Sequence, residues 1–381
     1  MHKKALLVTR VSGFVPQFEM NNVKILQEMG YEVHYASNYN TVVYGQDNSR
    51  LADTGIRRHS IHFCRSPFSL EVLRAYRELV QLMLEEKFEL IHCHMPLTGI
   101  LARKAAEKVR RMTGRRTAVL YTAHGLHFFK GAPLGNWLYY MPERHYARYT
   151  DKLILINQED YDRGSHFSVR GSVEFVPGVG IRPMPDPDPA FDLRSQYGIP
   201  EDHKIVVSVG ELTESKNQTV LIRAMDRFRR DKLTCIICGT GPVKDRLEQQ
   251  IKEMYLQDKV ILAGYCTNIP DILRQSDLFA FPSMREGLPV ALMEAMQAGL
   301  PVMAADIRGN HDLIRDGEGG FLFTENLPED YAQAIRYFLK YPDEAARMGK
   351  WNRKQVENFS LGVVEKRMRE IYHAAEAMEG A

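Results

Sequence analysis

The sequence has no uninterrupted apolar stretch of the roughly 20 residues that a membrane-spanning helix requires. Its amino-terminal segment, MHKKALLVTR, contains a short apolar run, but Arg10 interrupts it. We therefore interpret this segment as a first β-strand and not as a signal peptide. An integral membrane protein is excluded on these grounds.

Cysteine is also scarce, because the chain contains only five, scattered along its length. Cys235 and Cys238 have CxxC spacing, but they lie inside the apolar run LTCIICG. We expect buried thiols there and neither a metal nor a redox centre. Unpaired thiols are typical of a reducing compartment, which predicts a cytoplasmic protein.

Net charge is small, at +2, but it is unevenly distributed. Residues 1–176 hold 24 basic and 17 acidic residues, whereas the remainder holds 26 basic and 31 acidic residues. The basic first half predicts a partner with negative charge. A length of 381 residues, of which 44% are apolar and 26% charged, indicates a globular chain of two domains.

Apolar strand-like runs alternate with helical patterns, which predicts an α/β fold with two parallel sheets. Four prolines in residues 181–191 break the alternation. We predict a Rossmann-like domain over 1–178, a linker over 179–203, a second Rossmann-like domain over 204–357, and a carboxyl-terminal helical segment over 358–381 that packs back towards the first domain. Ligands of such sheets bind beyond the strands' carboxyl ends, here in the cleft between the domains. The predicted strands cover residues 5–10, 31–37, 89–94, 117–123, 152–157 and 173–177 in the first half, and 204–210, 233–239, 259–264, 277–283, 301–306 and 320–323 in the second.

Two glutamates, Glu286 and Glu294, interrupt the otherwise apolar segment SMREGLPVALMEAMQAGLPV, residues 283–302. Gly287 permits a tight turn, and Pro289 suits the first turn of a helix that runs to about residue 298. The free backbone amides at the start of a buried helix form a site for phosphate. The two carboxylates would then accept hydrogen bonds from hydroxyl groups on either side of a diphosphate, as in a nucleotide-sugar. The alternative is an exposed loop glutamate and a core glutamate with its own protein partner.

These residues match the E-x7-E signature, and the chain closely resembles the retaining GT-B glycosyltransferases of family 4, especially those of bacterial capsular and exopolysaccharide synthesis. The resemblance extends over nearly the whole sequence. It includes VSGF at 11–14, TAHG at 122–125, SVG at 208–210 with Lys216 and Asn217, and GTGP at 239–242. It implies a GT-B fold, two Rossmann-like domains facing a cleft with carboxyl-terminal helices, and a nucleotide-sugar co-substrate without a further cofactor.

The resemblance also implies roles for individual residues. His124 and Glu286 would orient the transferred sugar, Lys216 would neutralise the diphosphate, and Glu294 would bind the ribose. The family usually has arginine where this chain has Glu211, and Arg308 is the candidate to compensate. The remaining residues implied to contact the donor are Gly13, Gly239, Gly241, Tyr265, Gly287, Leu288 and Pro289.

No metal is expected. Asp186-Pro187-Asp188 resembles the DxD motif of the other glycosyltransferase fold, but its prolines and linker position favour a solvated turn. His92 and His94 alternate along one strand and could share a face, yet two histidines alone are weak evidence for a metal site.

A predicted helix over 97–112 suggests a membrane-surface contact. Seven basic residues and one acid fall between positions 103 and 116, and the basic ones are Arg103, Lys104, Lys108, Arg110, Arg111, Arg115 and Arg116. This predicts peripheral binding of the first domain to an anionic membrane surface, with an ordinary sheet-covering helix as the alternative. Nucleic acid is not expected, since no interleaved aromatic residues or known module accompany the charges.

We therefore predict a retaining hexosyl- or N-acetylhexosaminyltransferase that uses a nucleoside diphosphate sugar, with UDP favoured. The resemblance implies a hydroxyl acceptor on a lipid-diphosphate-linked glycan. The alternatives are a different GT-B reaction, such as nucleotide-sugar epimerisation or phosphorolysis, and a catalytically silent nucleotide-sugar binder. A nicotinamide dehydrogenase is disfavoured because no GxGxxG follows the first strand.

Overall fold

The computed structural model describes residues 3–45 and 47–378. The chain forms two compact units, and each has its own parallel sheet. The first unit contains the residues up to Gly180 together with those from Leu361 onward, and the second contains Ile181–Ser360. The predicted α/β fold with two Rossmann-like sheets is confirmed.

The first unit contains a seven-stranded sheet in the order β3-β2-β1-β4-β5-β6-β7, with every neighbouring pair parallel. Its strands and the helices between them are β1 (Lys3–Val11), α1 (Met20–Glu28), β2 (Tyr31–Asn38), β3 (Arg57–Ser60), α2 (Glu71–Glu86), β4 (Leu90–His94), α3 (Pro96–Thr113), β5 (Ala118–Ala123), α4 (Tyr140–Ala147), β6 (Lys152–Leu155), α5 (Gln158–Gly164) and β7 (Ser172–Phe175). The central strands are buried on both faces, which explains their nearly continuous apolar sequences.

The second unit contains a six-stranded parallel sheet in the order β10-β9-β8-β11-β12-β13. Its elements are α6 (Leu193–Tyr197), β8 (Lys204–Val209), α7 (Thr219–Met225), β9 (Leu233–Cys238), α8 (Lys244–Glu253), β10 (Val260–Gly264), α9 (Ile269–Arg274), β11 (Leu278–Phe281), α10 (Val290–Ala298), β12 (Val302–Ala305), α11 (Arg308–Leu313), β13 (Gly320–Phe323), α12 (Pro328–Lys340) and α13 (Pro342–Gln355). Cys235 and Cys238 are buried free thiols of β9.

The last helix, α14 (Leu361–Ala377), belongs to the first unit. Its residues Val364, Met368, Ile371 and Tyr372 are buried in the same apolar cluster as β1 and β2. No helix among the described residues is long and apolar enough to cross a membrane.

Each sheet has a point where the strand order reverses direction. In the first sheet this point lies between β1 and β4, and in the second it lies between β8 and β11. The chain segments that follow the two strands at such a point run over opposite faces of the sheet. This opens a crevice beyond the carboxyl ends of the strands. The loops that follow these strands are therefore the places to look for ligand-binding residues.

Candidate active site

In the second unit, two of the predicted site residues contact each other directly. Lys216 follows β8, Glu286 follows β11, and the lysine Nζ lies 2.6 Å from the glutamate Oε1. The ammonium group also lies 5.1 Å from the centre of the Phe281 ring. Both side chains are mostly shielded from solvent. The structure thus places a cation and a carboxylate together at the reversal point of this sheet.

The two loops are joined by hydrogen bonds that fix this pair. The backbone N–H of Met284 donates to the carbonyl of Ser215 over 2.7 Å. The Ser283 hydroxyl donates to the Glu286 carboxylate. Because Ser215 directly precedes Lys216, the loop after β8 and the loop after β11 hold the charged pair between them. Such support is what a binding site needs to keep its geometry.

The start of α10 offers unpartnered donors beside this pair. Pro289, which we expected in the first turn, occupies the N-cap position instead, and no side chain caps the helix. The backbone amides of Gly287 and Leu288 donate to no acceptor within the described ranges. Arg308, which begins α11, donates from Nε to the Glu286 carbonyl over 3.1 Å. The amides of Gly287 and Leu288, the dipole of α10 and the guanidinium of Arg308 together favour the binding of an anion at this helix start.

Glu294 is a half-buried residue of α10, one to two turns beyond that helix start. Burial raises the pKa of its carboxyl group to about 7. Its carboxyl group has no hydrogen-bond or ion-pair partner in the part of the chain that the structure describes. The alternative of a core glutamate with its own protein partner is therefore not observed.

Gly239 and Gly241 follow β9 and pack against the loop after β8. A Cβ atom on Gly239 would lie 1.9 Å from the Gly210 carbonyl oxygen, and one on Gly241 would lie 2.3 Å from the Leu212 carbonyl oxygen. Close packing of the two loops is thus sufficient to require glycine, and contact with a nucleotide stays a prediction. Tyr265, just after β10, is 79% exposed.

In the first unit, His124 follows β5 and is the partly exposed member of a buried cluster. Its Nε2 lies 3.3 Å from the Glu19 Oε1 and 3.1 Å from the His94 Nδ1. Burial lowers the pKa of His94 well below its ordinary value. Phe14 packs edge-on against His124, with ring centres 5.0 Å apart. His124 is therefore held by Glu19, His94 and Phe14, and part of its side chain stays exposed to solvent.

Sequence reasoning did not identify Glu19. This glutamate ends a π-helical turn, Val15–Glu19, and is 2% exposed. Burial alone would raise its pKa, but His94 and His124 outweigh that effect and lower the pKa to about 2. An ionised carboxylate thus faces His124. The sequence did contain a signal for this residue. Glu19 is the only charged residue of the segment FVPQFEMNN, which follows the first strand, just as Glu286 follows β11.

Glu19, His92 and His94 lie close enough together to share a metal ion. However, both ring nitrogens of His92 are engaged, with the Tyr372 hydroxyl at 2.8 Å and the Thr122 hydroxyl at 2.7 Å. Binding a metal through His92 would break one of these buried hydrogen bonds. A second compact group contains His34, His59 and Glu86.

Gly13 follows β1, as predicted, but it packs against another loop of the same unit. Its N–H donates to the Val42 carbonyl over 2.8 Å. A Cβ atom at this position would lie 1.9 Å from the Val43 carbonyl oxygen. The glycine is therefore needed for loop packing, and its approach to a diphosphate stays a prediction.

The predicted basic surface on α3 requires a correction at Arg103, which is fully buried. Its Nη2 donates to the Glu143 carboxylate over 2.8 Å, and its guanidinium stacks 4.1 Å from the centre of the Tyr121 ring. A buried, paired arginine cannot contact a membrane surface. Three other members of the set also bind carboxylates, since Arg110 and Arg111 pair with Glu107, and Arg115 pairs with Glu89.

The chain resembles known glycosyltransferases over nearly its whole length. A family profile described as "Glycosyl transferases group 1" matches residues 190–355, and one described as "Glycosyl transferase 4-like" matches residues 4–157. The chain is 34% identical to the glycosyltransferase EpsD of Bacillus subtilis, over 98% of this chain and 97% of EpsD. It is 28% identical to the UDP-Gal:alpha-D-GlcNAc-diphosphoundecaprenol alpha-1,3-galactosyltransferase of Escherichia coli, over 71% and 72% of the two chains.

Among solved structures, Anabaena Alr3699/HepE in complex with UDP-glucose superimposes with a TM-score of 0.79. The two chains are 19% identical, and the match covers 98% of this chain and 100% of the other. At that level of identity the likeness concerns the fold.

Proposed function

This chain belongs to the glycosyl transferases group 1 family and has the GT-B fold, and on that premise we propose that it transfers a sugar from UDP to a hydroxyl acceptor with retention of anomeric configuration. The observation that carries the proposal is the Lys216–Glu286 pair beside the uncapped start of α10. A cation, free amides and a carboxylate at one sheet edge suit a ligand that joins a diphosphate to hydroxyl groups.

In the proposed reaction, Lys216 leaves Glu286 for the donor diphosphate. The Glu286 carboxylate is then free to accept hydrogen bonds from the hydroxyls of the transferred sugar. Lys216, Arg308 and the amides of Gly287 and Leu288 stabilise the negative charge that grows on UDP as the bond to the sugar breaks. Stabilisation of that developing charge is the main catalytic contribution of this unit.

The bond changes require no protein nucleophile. The sugar C1–oxygen bond to UDP breaks while the acceptor oxygen bonds to C1 on the same face. The acceptor proton passes to a phosphate oxygen of the departing UDP, so charge and protons balance. Positioning of the two reactants supplies the rest of the catalysis, and we assign the orientation of the sugar to Glu286 and to His124 of the first unit.

We further propose that Glu294 binds the ribose and that the region after β10, at Tyr265, holds the base through backbone atoms. Gly239 and Gly241 would allow the nucleotide to approach, and Pro289 would present the first turn of α10. Gly13 would line the diphosphate path in the first unit. In this proposal residues 204–357 bind the donor and residues 1–178 bind the acceptor.

For the acceptor, we propose a lipid-diphosphate-linked saccharide in capsule or exopolysaccharide synthesis, on the cytoplasmic side of the membrane. The name of the Escherichia coli relative contains such an acceptor, GlcNAc-diphosphoundecaprenol. Contact with an anionic membrane surface would use the first unit. On α3, Lys104, Lys108 and, just beyond it, Arg116 are the members of the predicted basic set without a carboxylate partner among the described residues.

The test compares UDP release by wild type and Glu286→Gln, with UDP-glucose, UDP-galactose and UDP-N-acetylglucosamine as donors and a synthetic prenyl-diphosphate-linked N-acetylglucosamine as acceptor. We expect turnover with at least one donor and a loss of about 10²-fold or more in Glu286→Gln. Glu318→Gln is the control, because Glu318 is a surface residue of the same unit paired with Arg315. Normal turnover by Glu286→Gln would contradict the assigned role.

Two outcomes would favour the alternatives. Interconversion of UDP-sugars without acceptor would indicate an epimerase-like reaction. Thermal stabilisation by UDP-sugars without any turnover would indicate a silent binding protein.

A further inference from the structure

Three side chains that can bind a metal meet in the first unit, outside the loops assigned to the ligand. They are His34 of β2, His59 of β3 and Glu86, the last residue of α2. Each offers one ligand atom, and the three atoms lie within 4.8 Å of one another. Glu86 comes just before β4 begins, so the group belongs to the amino-terminal half of the sheet, whereas His124 follows the carboxyl end of β5.

The pairing of β2 with β3 brings the two histidines together. His34 is paired with Arg57, and Ala36 is paired with His59, so the histidines are diagonal neighbours on one face of the sheet. Ala36 is small, which leaves space for the two rings to meet. The His34 Nδ1 lies 2.8 Å from the His59 Nε2. At that distance one nitrogen carries a proton and the other presents a lone pair.

A carboxylate decides which nitrogen of His34 presents its lone pair. The Nε2 of this ring lies 3.2 Å from the Glu32 Oε1, and an ionised carboxylate can only accept a hydrogen bond. The proton of a neutral His34 therefore lies on Nε2, and the lone pair of Nδ1 faces His59. Histidines that bind metals are commonly oriented by a carboxylate behind the ring in this way. Glu32 is itself paired with Arg57, and the His34 ring packs edge-on against Phe88, so this ligand is held in place.

The other two ligands can adjust to a metal ion. His59 is partly exposed, and its Nδ1 makes no hydrogen bond within the described ranges. Its ring proton can therefore move to Nδ1, which frees the lone pair of Nε2. Glu86 binds the Lys4 ammonium group through Oε2 over 2.5 Å, and its Oε1 has no partner in the part of the chain that the structure describes. The carboxylate can thus bind a metal through one oxygen and keep Lys4 on the other.

This group differs from the cluster of Glu19, His92 and His94 in what metal binding would disrupt. In that cluster His92 would have to give up a hydrogen bond to another buried side chain, which would lose its partner. Here the only hydrogen bond replaced is the one between His34 and His59, the two ligands themselves. A metal ion would then satisfy both nitrogens.

Two imidazole nitrogens and one carboxylate oxygen form a ligand set typical of zinc. Zn²⁺ holds such atoms at about 2.0–2.2 Å, so that neighbouring ligand atoms lie about 3.3 Å apart in a tetrahedral site. The two nitrogens would move slightly apart and the Glu86 oxygen would move inward, which the partly exposed side chains of His59 and Glu86 permit. Mg²⁺ and Ca²⁺ prefer oxygen ligands and fit this set poorly.

We propose that His34, His59 and Glu86 form a zinc site, with water as the fourth ligand, that joins the edge strand β3 to β2 and to the end of α2. β3 is only four residues long, has the polar sequence RRHS and pairs with a neighbour on one side only. Such a strand buries little apolar surface, so a metal bound to His59 would stabilise it. The inference is independent of the proposed transferase function.

Calorimetric titration of the full chain with zinc chloride tests the site. The protein carries no polyhistidine tag, since a tag would bind the metal, and it is first dialysed against a chelator. We expect one zinc ion per chain with a Kd of about 1 μM or lower, and no binding of magnesium at the same concentrations. Zinc at about 100 μM should also raise the melting temperature by about 4 °C or more.

Matched substitutions locate the metal. His59→Gln and Glu86→Gln should each weaken zinc binding at least about tenfold, because each removes one ligand. The controls are His62→Gln and Glu85→Gln, which should change the affinity less than about twofold. His62 is a histidine near β3 that pairs with Glu78, and Glu85 is the exposed glutamate next to Glu86.

The absence of zinc binding by the wild type would overturn the inference. So would an unchanged affinity in both His59→Gln and Glu86→Gln, because the metal would then lie elsewhere, or equal losses in these variants and their controls. Crystals grown with zinc should show an anomalous scattering peak between the His34 Nδ1 and the His59 Nε2, and a peak only at other residues would contradict the site. The melting temperature of each variant without zinc checks its folding.

Discussion

The unpartnered carboxyl group of Glu294 leads to a prediction about pH. If Glu294 binds the ribose, its ionised form accepts hydrogen bonds from the two hydroxyls, and binding must lower the pKa from its free value of about 7. Below pH 7 the free protein carries a proton on Glu294, and this proton is released when UDP-glucose binds. The affinity for UDP-glucose should therefore rise as pH rises, and Glu294→Gln should remove this dependence.

The magnitude follows from the two pKa values. If the bound carboxyl returns to its ordinary pKa, then binding should be about 20-fold tighter at pH 7.5 than at pH 5.5. Without ligand, the pKa of Glu294 is higher in the folded protein than in the unfolded chain. The protonated carboxyl group therefore contributes stability that is fully present below the pKa of the unfolded chain and is lost as pH rises through about 7. Relative to Glu294→Gln, this loss amounts to at most about 3 kcal/mol.

Isothermal titration calorimetry at pH 5.5, 6.5 and 7.5, in buffers of different ionisation enthalpy, measures both the affinity and the protons released. UDP-glucose is preferred to UDP because its diphosphate has no terminal phosphate group that titrates in this range. If wild type and Glu294→Gln showed the same pH dependence and the same proton release, the ribose assignment would be refuted.

Three further substitutions test other parts of the structure. Glu19→Gln should lower kcat/KM about 10- to 100-fold by releasing His124, while UDP affinity measured by calorimetry stays unchanged. Arg103→Ala should lower the free energy of unfolding by about 3–5 kcal/mol, because it leaves Glu143 buried without its cation, and the double variant Arg103→Met/Glu143→Leu should recover most of this loss in urea denaturation. Gly239→Ala should cost about 2 kcal/mol or more in the same experiment, since its Cβ would meet a backbone oxygen.

Most of the fold was predictable because its central strands are buried on both faces. Such strands have continuous apolar sequences that stand out from their surroundings. The strand β3 was not predicted, because its sequence RRHS is polar and it lies at an edge of its sheet. It forms a strand because it pairs with β2, and a local sequence pattern carries no information about that pairing.

The sequence pattern of α3 did not predict that Arg103 is buried. The space beside Arg103 depends on a small residue one turn earlier in the helix. Gly99 packs directly against the Tyr121 ring, and a Cβ atom there would lie 2.7 Å from it. The guanidinium then stacks on that ring and binds Glu143, which lies 40 residues further along the chain. Only the folded sheet brings these groups together.

Individual site residues were predictable by type, but their partners were not. Glu286 was conspicuous as an acid in an apolar segment, and Lys216 followed a strand end. Their contact at 2.6 Å arises because β8 and β11 are neighbours in the sheet, although 70 residues separate the two side chains. Glu19 had the same local signal but lacked a motif to draw attention to it.

The central claim is that the loops after β8 and β11, with the start of α10, bind the diphosphate and sugar of the donor. A crystal structure of the protein with UDP-glucose tests it most directly. We predict the diphosphate against Lys216 and the amides of Gly287 and Leu288, with sugar hydroxyls on the Glu286 carboxylate in place of its present contact with Lys216. A donor bound elsewhere, with the Lys216–Glu286 pair intact, would contradict the claim.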